Sequence, residues 1–271
     1  MSQTQTKQLA TALTKTIQSL KEPVGARNEY LRQLLTILKA INDDFEKSVI
    51  KRLKQKDYIA DDATDDVESE IETIIKAWSA ESFRRLAQKR AERFVLSVVK
   101  TTSRKFGINR FKSPQIQKLL KQTIAQNTQL ITSLASDHAN AIANLVYNNI
   151  TQGIRPEVIV ENIQAYGVTK ARAKLIAFDQ VSKALGQIAR IEQTSAGFEY
   201  FRWRTSKDER VRESHKKLGE RVTKYGKGVY RWDDLPTING EPMQPGSDFR
   251  CRCLATPVTE EEVEEFQRSK K

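Results

Sequence analysis

The chain has 271 residues, of which 38% are hydrophobic and 30% charged, so it is long enough for one large domain or two modest ones with buried cores. No apolar run approaches the roughly 20 residues of a membrane-spanning helix, and the N-terminal residues lack the basic start and apolar stretch of a secretory signal. Two cysteines cannot form a disulfide scaffold, which favours a reducing compartment. The composition therefore argues against membrane and secreted proteins.

The net charge of +12 is distributed unevenly along the chain. Residues 82–121 contain twelve basic residues and one acidic residue, whereas residues 57–72 contain eight acidic residues and no basic one. A basic block of this density is typical of a surface that binds a polyanion such as nucleic acid, or an acidic partner protein. The alternative is a solvated helix face that docks against the chain's own acidic block. The candidate DNA-binding residues of the block are Arg84, Arg85, Lys89, Arg90, Arg93, Arg104 and Lys105.

Apolar residues at spacings of three and four predict that the first two thirds of the chain is helical. Capping residues, glycines and prolines mark where the helices begin and end. The predicted helices cover residues 31–53, 65–107 with Asp65 or Asp66 as cap and Gly107 as stop, 113–146 opened by Ser113 and Pro114, 156–165, and 169–197 opened by Thr169.

The pattern changes after Gly197 to alternating aromatic and basic residues and many glycines and prolines. Strands are predicted at 198–205 and 229–232, a short helix at 209–218, and an acidic, helix-prone tail from Glu260. The sequence thus predicts a mainly α protein, in which long N-terminal helices precede a compact, loop-rich α+β module. The predicted domains are a helical arm (1–165), a connecting helix (166–197), the module (198–258) and the tail (259–271).

The module contains His215, which is one of two histidines, and both cysteines, Cys251 and Cys253. Imidazole and thiolate groups are the usual ligands of a structural Zn²⁺. A domain of about sixty residues is not stable through core burial alone, and a bound metal would add its binding free energy to folding. A fourth ligand could be Asp208, or else Asp234 or Asp248. The alternative is that the cysteines are small buried apolar groups and His215 is a hydrogen-bonded core residue. For the other histidine, His138, a structural role is expected.

Helical periodicity makes further predictions inside the module. If residues after Asp208 are helical, Val211 and Leu218 face inward and His215 lies on the same side, aimed at the core. Asp208 can form charge-assisted bonds with Arg210 or Arg212 that fix the turn before this helix. Trp203 is expected to be a core aromatic residue rather than a platform for base stacking.

The string from Trp203 to Gly219, with Pro245-Gly246 and Cys251-Arg252-Cys253, resembles the phage Mu F-like minor head protein (head morphogenesis) family. In that family a W-x-T-x-x-D-x-R-V-R-x-x-H-x-x-L-x-G stretch precedes a P-G element and a closing C-R-C. The segment from Gly167 to Ala173 is similar to the family's preceding helix, although this chain has Ala177-Phe178-Asp179-Gln180 where members often have an Ala-Arg-Thr-Glu-like string. The resemblance covers roughly residues 165–256.

This resemblance implies a virion component present in few copies, located in the capsid interior at the portal vertex and in the host cytoplasm during assembly. It implies a role in procapsid assembly, with genome packaging or ejection as further roles, and no enzymatic activity. The implied partners are the portal protein and double-stranded DNA, bound without sequence preference, with a major capsid or scaffolding protein as a further candidate and no membrane. In the module, Arg210 and Arg212 are candidate contacts to DNA phosphates.

Two alternatives remain from the sequence. A metal held by Asp208, His215 and the cysteines could activate water for phosphodiester hydrolysis, which would make the protein a metal-dependent DNA-processing enzyme. A site with four protein ligands would instead be closed and structural. The second alternative is a helical adaptor without a nucleic-acid role, in which the basic helix pairs with the acidic one.

Overall fold

A computed structural model describes residues 2–20, 22–55, 62–106, 113–166, 169–206 and 208–270. These residues form a mainly helical structure with small antiparallel sheets near the C-terminus, which confirms the predicted fold class. The helices are α1 (Gln3–Gln18), α2 (Val24–Gln55), α3 (Asp62–Ser79), α4 (Glu81–Lys105), α5 (Pro114–Thr151), α6 (Pro156–Ala165), α7 (Thr169–Ser195), α8 (Glu213–Glu220) and α9 (Glu260–Arg268). The strands are β1 (Tyr200–Arg204), β2 (Val222–Thr223), β3 (Gly226–Lys227), β4 (Val229–Arg231), β5 (Thr237–Ile238), β6 (Glu241–Pro242) and β7 (Leu254–Val258).

Several predicted boundaries need correction. The single long helix predicted from Asp65 or Asp66 is two helices, because the backbone bends at Ala80 and α4 begins at the next residue. Its first half, α3, already begins at Asp62, so neither predicted cap stands at its start. The short helix predicted from Glu209 begins only at Glu213, after a turn closed by the hydrogen bond from Val211 N–H to the Asp208 carbonyl. Gly107, Gly167, Val168 and part of the acidic segment (57–61) lie outside the described residues.

The chain divides into two compact units, and each is assembled from separated stretches of sequence. Unit 1 comprises Met1–Val24, Val95–Gln122 and Phe178–Lys271, and unit 2 comprises Gly25–Phe94 and Thr123–Ala177. The four consecutive domains expected from the sequence stay a prediction. They were defined by changes in sequence pattern, whereas the two units are defined by contacts between residues.

Unit 2 is a helical core. The apolar stripe of α2 is buried as its spacing predicts, through Leu34, Ile41 and Phe45. Tyr30 stacks on Phe94 with ring centroids 4.1 Å apart.

Unit 1 is built around the three-stranded sheet β4-β1-β7, with β1 in the centre and antiparallel to both neighbours. One face of β1 carries the buried Phe201 and Trp203, as the alternating pattern predicts. The other face lies under α9, whose Val263 packs with Val229 and Val258. The acidic tail is therefore an amphipathic helix that covers the sheet. Among the described residues, no helix combines the length and the apolarity needed to cross a bilayer.

Candidate metal centre

Three elements of unit 1 bring His215, Cys251 and Cys253 together. The register of β1 with β7 places Trp203 opposite Ala255, so the residues just before β7 enter the core beside Trp203. Helix α8 packs on the same face of β1 and turns His215 inward with Leu218, which confirms the predicted inward face. All three side chains are buried, at 2–4% exposure.

The geometry of these side chains suits a tetrahedral ion. His215 Nδ1 lies 3.4 Å from Cys251 Sγ and 3.5 Å from Cys253 Sγ, and the three donor atoms all lie within 4.8 Å of one another. A tetrahedral Zn²⁺ with bonds of about 2.3 Å to sulfur and about 2.0 Å to nitrogen separates such neighbours by about 3.5 Å. Both cysteines are free thiols, so no disulfide competes with this arrangement.

Asp248 orients the imidazole. Its Oδ2 lies 3.0 Å from His215 Nε2 and 2.7 Å from Arg212 Nη1. An ionised carboxylate only accepts hydrogen bonds, so Nε2 carries the proton and the lone pair of Nδ1 points at the two sulfur atoms. Carboxylates that hold the outer nitrogen of a ligating histidine are a regular feature of metal sites. Asp248 therefore occupies a supporting position rather than that of a fourth ligand.

The surroundings of the sulfur atoms favour a thiolate on Cys251. The Cys253 side chain donates a hydrogen bond to Cys251, and the N–H groups of Cys253 and Gly246 also face this sulfur, which together outweigh burial and lower the pKa of Cys251 to about 6. The same coupling raises the pKa of Cys253. Trp203 Nε1 is buried and has no hydrogen-bond partner of normal geometry among the described residues. Its N–H group nevertheless acts on the Cys253 sulfur and opposes the rise in the pKa of Cys253.

The other predicted ligands lie elsewhere. Asp208 binds Arg252 Nη1 at 2.7 Å and accepts the N–H of Arg210, and it is not among the residues whose donor atoms cluster. These contacts lower the pKa of Asp208, chiefly through the hydrogen bond from Arg252. Asp234 is exposed. Within the described part of the chain the cluster thus has three protein donors.

The loop that carries the cysteines is supported by α7. Asp179 is 5% exposed and accepts the N–H of Arg250 at 2.9 Å. Gly186 lets the helix approach the Pro245-Gly246 turn, because a Cβ atom on it would lie 2.7 Å from the Pro245 carbonyl oxygen. Neither supporting role was predicted from the sequence, although Asp179 lies in the string that departs from the family pattern.

Part of the chain that includes these residues matches a known protein family. Residues 140–256 match the family described as "Phage Mu protein F like protein". This segment, which is less than half of the chain, is similar to that family. The match confirms the resemblance found in the sequence and extends it toward the N-terminus.

A protein of Haemophilus influenzae described as "Uncharacterized protein" is 31% identical over 147 residues, which is 54% of this chain and 31% of that relative. The chain thus spans about a third of the length of that relative. No solved structure matches the chain.

The predicted DNA-binding residues outside the Mu F-like segment lie on one helix, α4. Arg85, Lys89 and Arg93 follow one another at four-residue spacing, so they share one face, and all three are exposed. None of the three forms an ion pair with a described residue, whereas Arg84 Nε binds Glu81 at 2.6 Å. Arg104 and Lys105 are exposed on the last turn of the same helix, and Arg90 is half-buried.

The acidic segment pairs elsewhere. Asp66 and Glu70 face Arg52 of α2, and Glu72 faces Lys76 of α3 itself. In the described ranges the acidic helix therefore does not neutralise Arg85, Lys89 and Arg93.

The second histidine and one of the two candidate DNA-binding arginines of the module are held by contacts within the protein. His138 is 3% exposed and its Nε2 lies 2.6 Å from Asn42 Oδ1, as expected of a core histidine. Burial lowers its pKa. In the Mu F-like segment the Arg212 side chain is tied to Asp248 and to the Phe249 carbonyl, whereas the Arg210 side chain is 73% exposed.

Proposed function

We propose that the chain is a minor head protein of a phage or prophage that acts in head assembly. The observation that carries this proposal is the Mu F-like segment, whose His215, Cys251 and Cys253 come together in one buried cluster. Its proposed partners are other head proteins, with the portal protein first, and packaged double-stranded DNA. Its proposed locations are the portal vertex inside the capsid and the host cytoplasm during assembly.

Particle composition tests the assembly role. Heads purified by density gradient are analysed by quantitative mass spectrometry, with and without deletion of the gene. The expected result is a few copies per particle and a loss of complete heads in the deletion. The protein's absence from purified heads, or normal head yield without it, would contradict the proposal.

The second element of the proposal is a structural Zn²⁺ held by His215, Cys251 and Cys253. When bound, the metal would contribute its binding free energy to folding of the small sheet around β1. The buried donors, the tetrahedral spacing and the carboxylate behind His215 support this ligand set.

The two histidines provide a matched test of the zinc site. His215→Gln removes a ligand, and His138→Gln replaces an equally buried imidazole in unit 2. Elemental analysis is expected to find one zinc per chain in the wild type and in His138→Gln, and almost none in His215→Gln. Equal zinc content in both variants, or a chain that melts identically with and without a chelator, would exclude the site.

The third element is DNA binding without sequence preference through α4. Arg85, Lys89 and Arg93 form an exposed face and make no close ion pair with a described residue, and such a basic face releases counterions from DNA when it binds. We expect the triple substitution to glutamine to reduce the slope of log K against log salt by about 2 to 3 on duplex DNA.

A control variant carries the same loss of charge at scattered exposed positions, Lys47, Lys170 and Lys227. Its salt slope is expected to stay close to that of the wild type. Equal slopes in the two triple variants would show that α4 is not the DNA-binding face.

A metal-dependent DNA-processing enzyme is the second candidate, and one observation favours it. The cluster has three protein donors within the described residues, and a cavity reaches all of them, as in sites that keep a ligand position for substrate or water. Incubation of the zinc-loaded chain with plasmid DNA tests it. Cleavage that His215→Gln abolishes would establish an enzyme, whereas intact plasmid supports the structural role.

A further inference from the structure

A cavity of about 630 Å³ in unit 1 adjoins the metal cluster. Its walls include His215 and both cysteines, residues of α7, and four arginines, namely Arg210, Arg212, Arg250 and Arg252. Glu22 is the one acidic residue among the described residues that line it. Such a density of guanidinium groups at one cavity indicates an anionic ligand.

The four arginines are not equivalent. Arg212 is bound to Asp248 at 2.7 Å, and Arg252 is bound to Asp208 at 2.7 Å, so carboxylates hold both in place. Arg210 lies 3.6 Å from Asp208 and is largely exposed. The Arg250 guanidinium forms no ion pair or hydrogen bond with any described residue. Neither of the two carboxylates that hold Arg212 and Arg252 therefore neutralises its charge.

The surrounding structure holds the backbone of Arg250 in an unusual conformation. Its φ is +53°, in the left-handed region that residues other than glycine, asparagine and aspartate rarely adopt. The buried Asp179 holds this conformation by accepting the Arg250 N–H. Backbone conformations of this kind persist where the surrounding structure enforces them, and they concentrate at functional sites. Here the enforced conformation belongs to a residue that lines the cavity beside the cluster.

We propose that this cavity binds a phosphate group, with Arg250 as the principal contact and Arg210 as the second. A guanidinium presents planar paired donors that match phosphate oxygens, and the cavity is large enough for a phosphate with its attached sugar. The source of the phosphate is a DNA strand end, as the proposed function implies, or a free phosphate or nucleotide. An intact duplex is too wide to enter a cavity of this volume.

The backbone conformation provides a clean variant. Arg250→Asn removes the guanidinium but suits a φ of +53°, so the fold is not expected to suffer. Arg221→Asn removes one exposed charge from the same module outside the cavity. Binding of inorganic phosphate to the full zinc-loaded chain is measured by isothermal titration calorimetry. We expect Arg250→Asn to weaken binding about tenfold and Arg221→Asn to leave it unchanged.

A second titration identifies the source, using a short single-stranded oligonucleotide with a 5′-phosphate or a 5′-hydroxyl. Tighter binding of the phosphorylated strand that depends on Arg250 supports a DNA end, whereas Arg250-dependent binding of inorganic phosphate alone supports a free anion. Absence of phosphate binding, or equal affinities in both variants, would overturn the inference. The salt slope of duplex binding by α4 is measured independently, so failure of the DNA role and failure of this site are distinguishable.

Discussion

At the scale of single residues, the most informative contact is between Asp248 and His215. The sequence offers Asp208, Asp234 and Asp248 alike as candidate ligands, and only the structure separates their positions. Asp248 reaches the outer nitrogen of His215, Asp208 is held by Arg252, and Asp234 is exposed. A carboxylate in the position of Asp248 fixes the imidazole tautomer and strengthens it as a ligand.

We therefore expect Asp248→Ala to lower zinc affinity by about 10- to 100-fold without removing a ligand. Asp234→Ala is the control, because that side chain is exposed in the same module. Competition with a chromogenic chelator at fixed pH measures the affinities. An Asp248→Ala protein that holds zinc as tightly as the Asp234→Ala protein would refute the supporting role.

His138 makes the stability of unit 2 depend on pH. Burial lowers its pKa, so in mild acid the unfolded chain binds a proton that the folded chain resists. Its contribution to stability is complete above the ordinary histidine pKa of about 6.5 and is lost as the pH falls below it. We expect urea denaturation to show a larger loss of stability between neutral and acid pH for the wild type than for His138→Gln. Parallel pH profiles would contradict this expectation.

At the scale of elements, the contact between α7 and the cysteine-bearing loop decides the geometry of the cluster. Arg190 of α7 donates to Gln244 Oε1 at 2.9 Å, and Gln193 donates to the Ala255 carbonyl at 2.9 Å. Gly186, about one turn before Arg190 in the same helix, lies against the Pro245-Gly246 turn. The helix thus sets the course of the loop on both sides of Cys251.

We expect Gly186→Ala to destabilise the fold by about 1–3 kcal/mol, because the new methyl group meets the Pro245 carbonyl at 2.7 Å. Gly25→Ala is the matched control in another helix, since nothing lies within 4 Å of its added Cβ atom, and it is expected to be neutral or stabilising by up to about 1 kcal/mol. Thermal and urea denaturation of both variants tests the difference. Equal stability of the two variants would show that the Pro245-Gly246 turn moves to accept the methyl group without a loss of stability.

At the scale of the whole molecule, unit 1 joins residues from both ends of the chain. Helix α1 packs against β7, and its Ile17 is fully buried. Lys7 binds Glu261 of α9 at 2.8 Å, an exposed pair that contributes little. The small sheet therefore depends on a helix almost two hundred residues earlier in the sequence.

We expect Ile17→Ala to lower the free energy of unfolding by about 2–5 kcal/mol, because it leaves a cavity in this unit. Gln8→Ala on the exposed side of α1 is the control and is expected to change stability by less than about 0.5 kcal/mol. Urea denaturation followed by tryptophan fluorescence, to which Trp203 and Trp232 of unit 1 contribute, provides the measurement. A neutral Ile17→Ala would mean that α1 does not stabilise unit 1.

Local sequence signals located most elements but not all. Pro114 and Pro156 are the first residues of α5 and α6, where a proline costs no helical hydrogen bond. The short strand β7 and the hairpin of β5 and β6 were missed. For the hairpin a signal exists, because Asn239 and Gly240 both have positive φ and form the two-residue turn that Asn-Gly favours. The bend at Ala80 has no such signal, since the apolar spacing continues through it.

The sequence by itself determined the helical character, the inward face of α8 and the grouping of His215, Cys251 and Cys253 as candidate ligands, because periodicity and ligand chemistry are local properties. Only the tertiary structure decided that Asp248 supports the cluster, that Arg250 faces a cavity beside it, and that distant stretches of the chain share one unit. These outcomes depend on which surfaces meet when apolar faces are buried. Which surfaces meet is decided by the packing of the whole chain, so it cannot be inferred from the residue type at any single position.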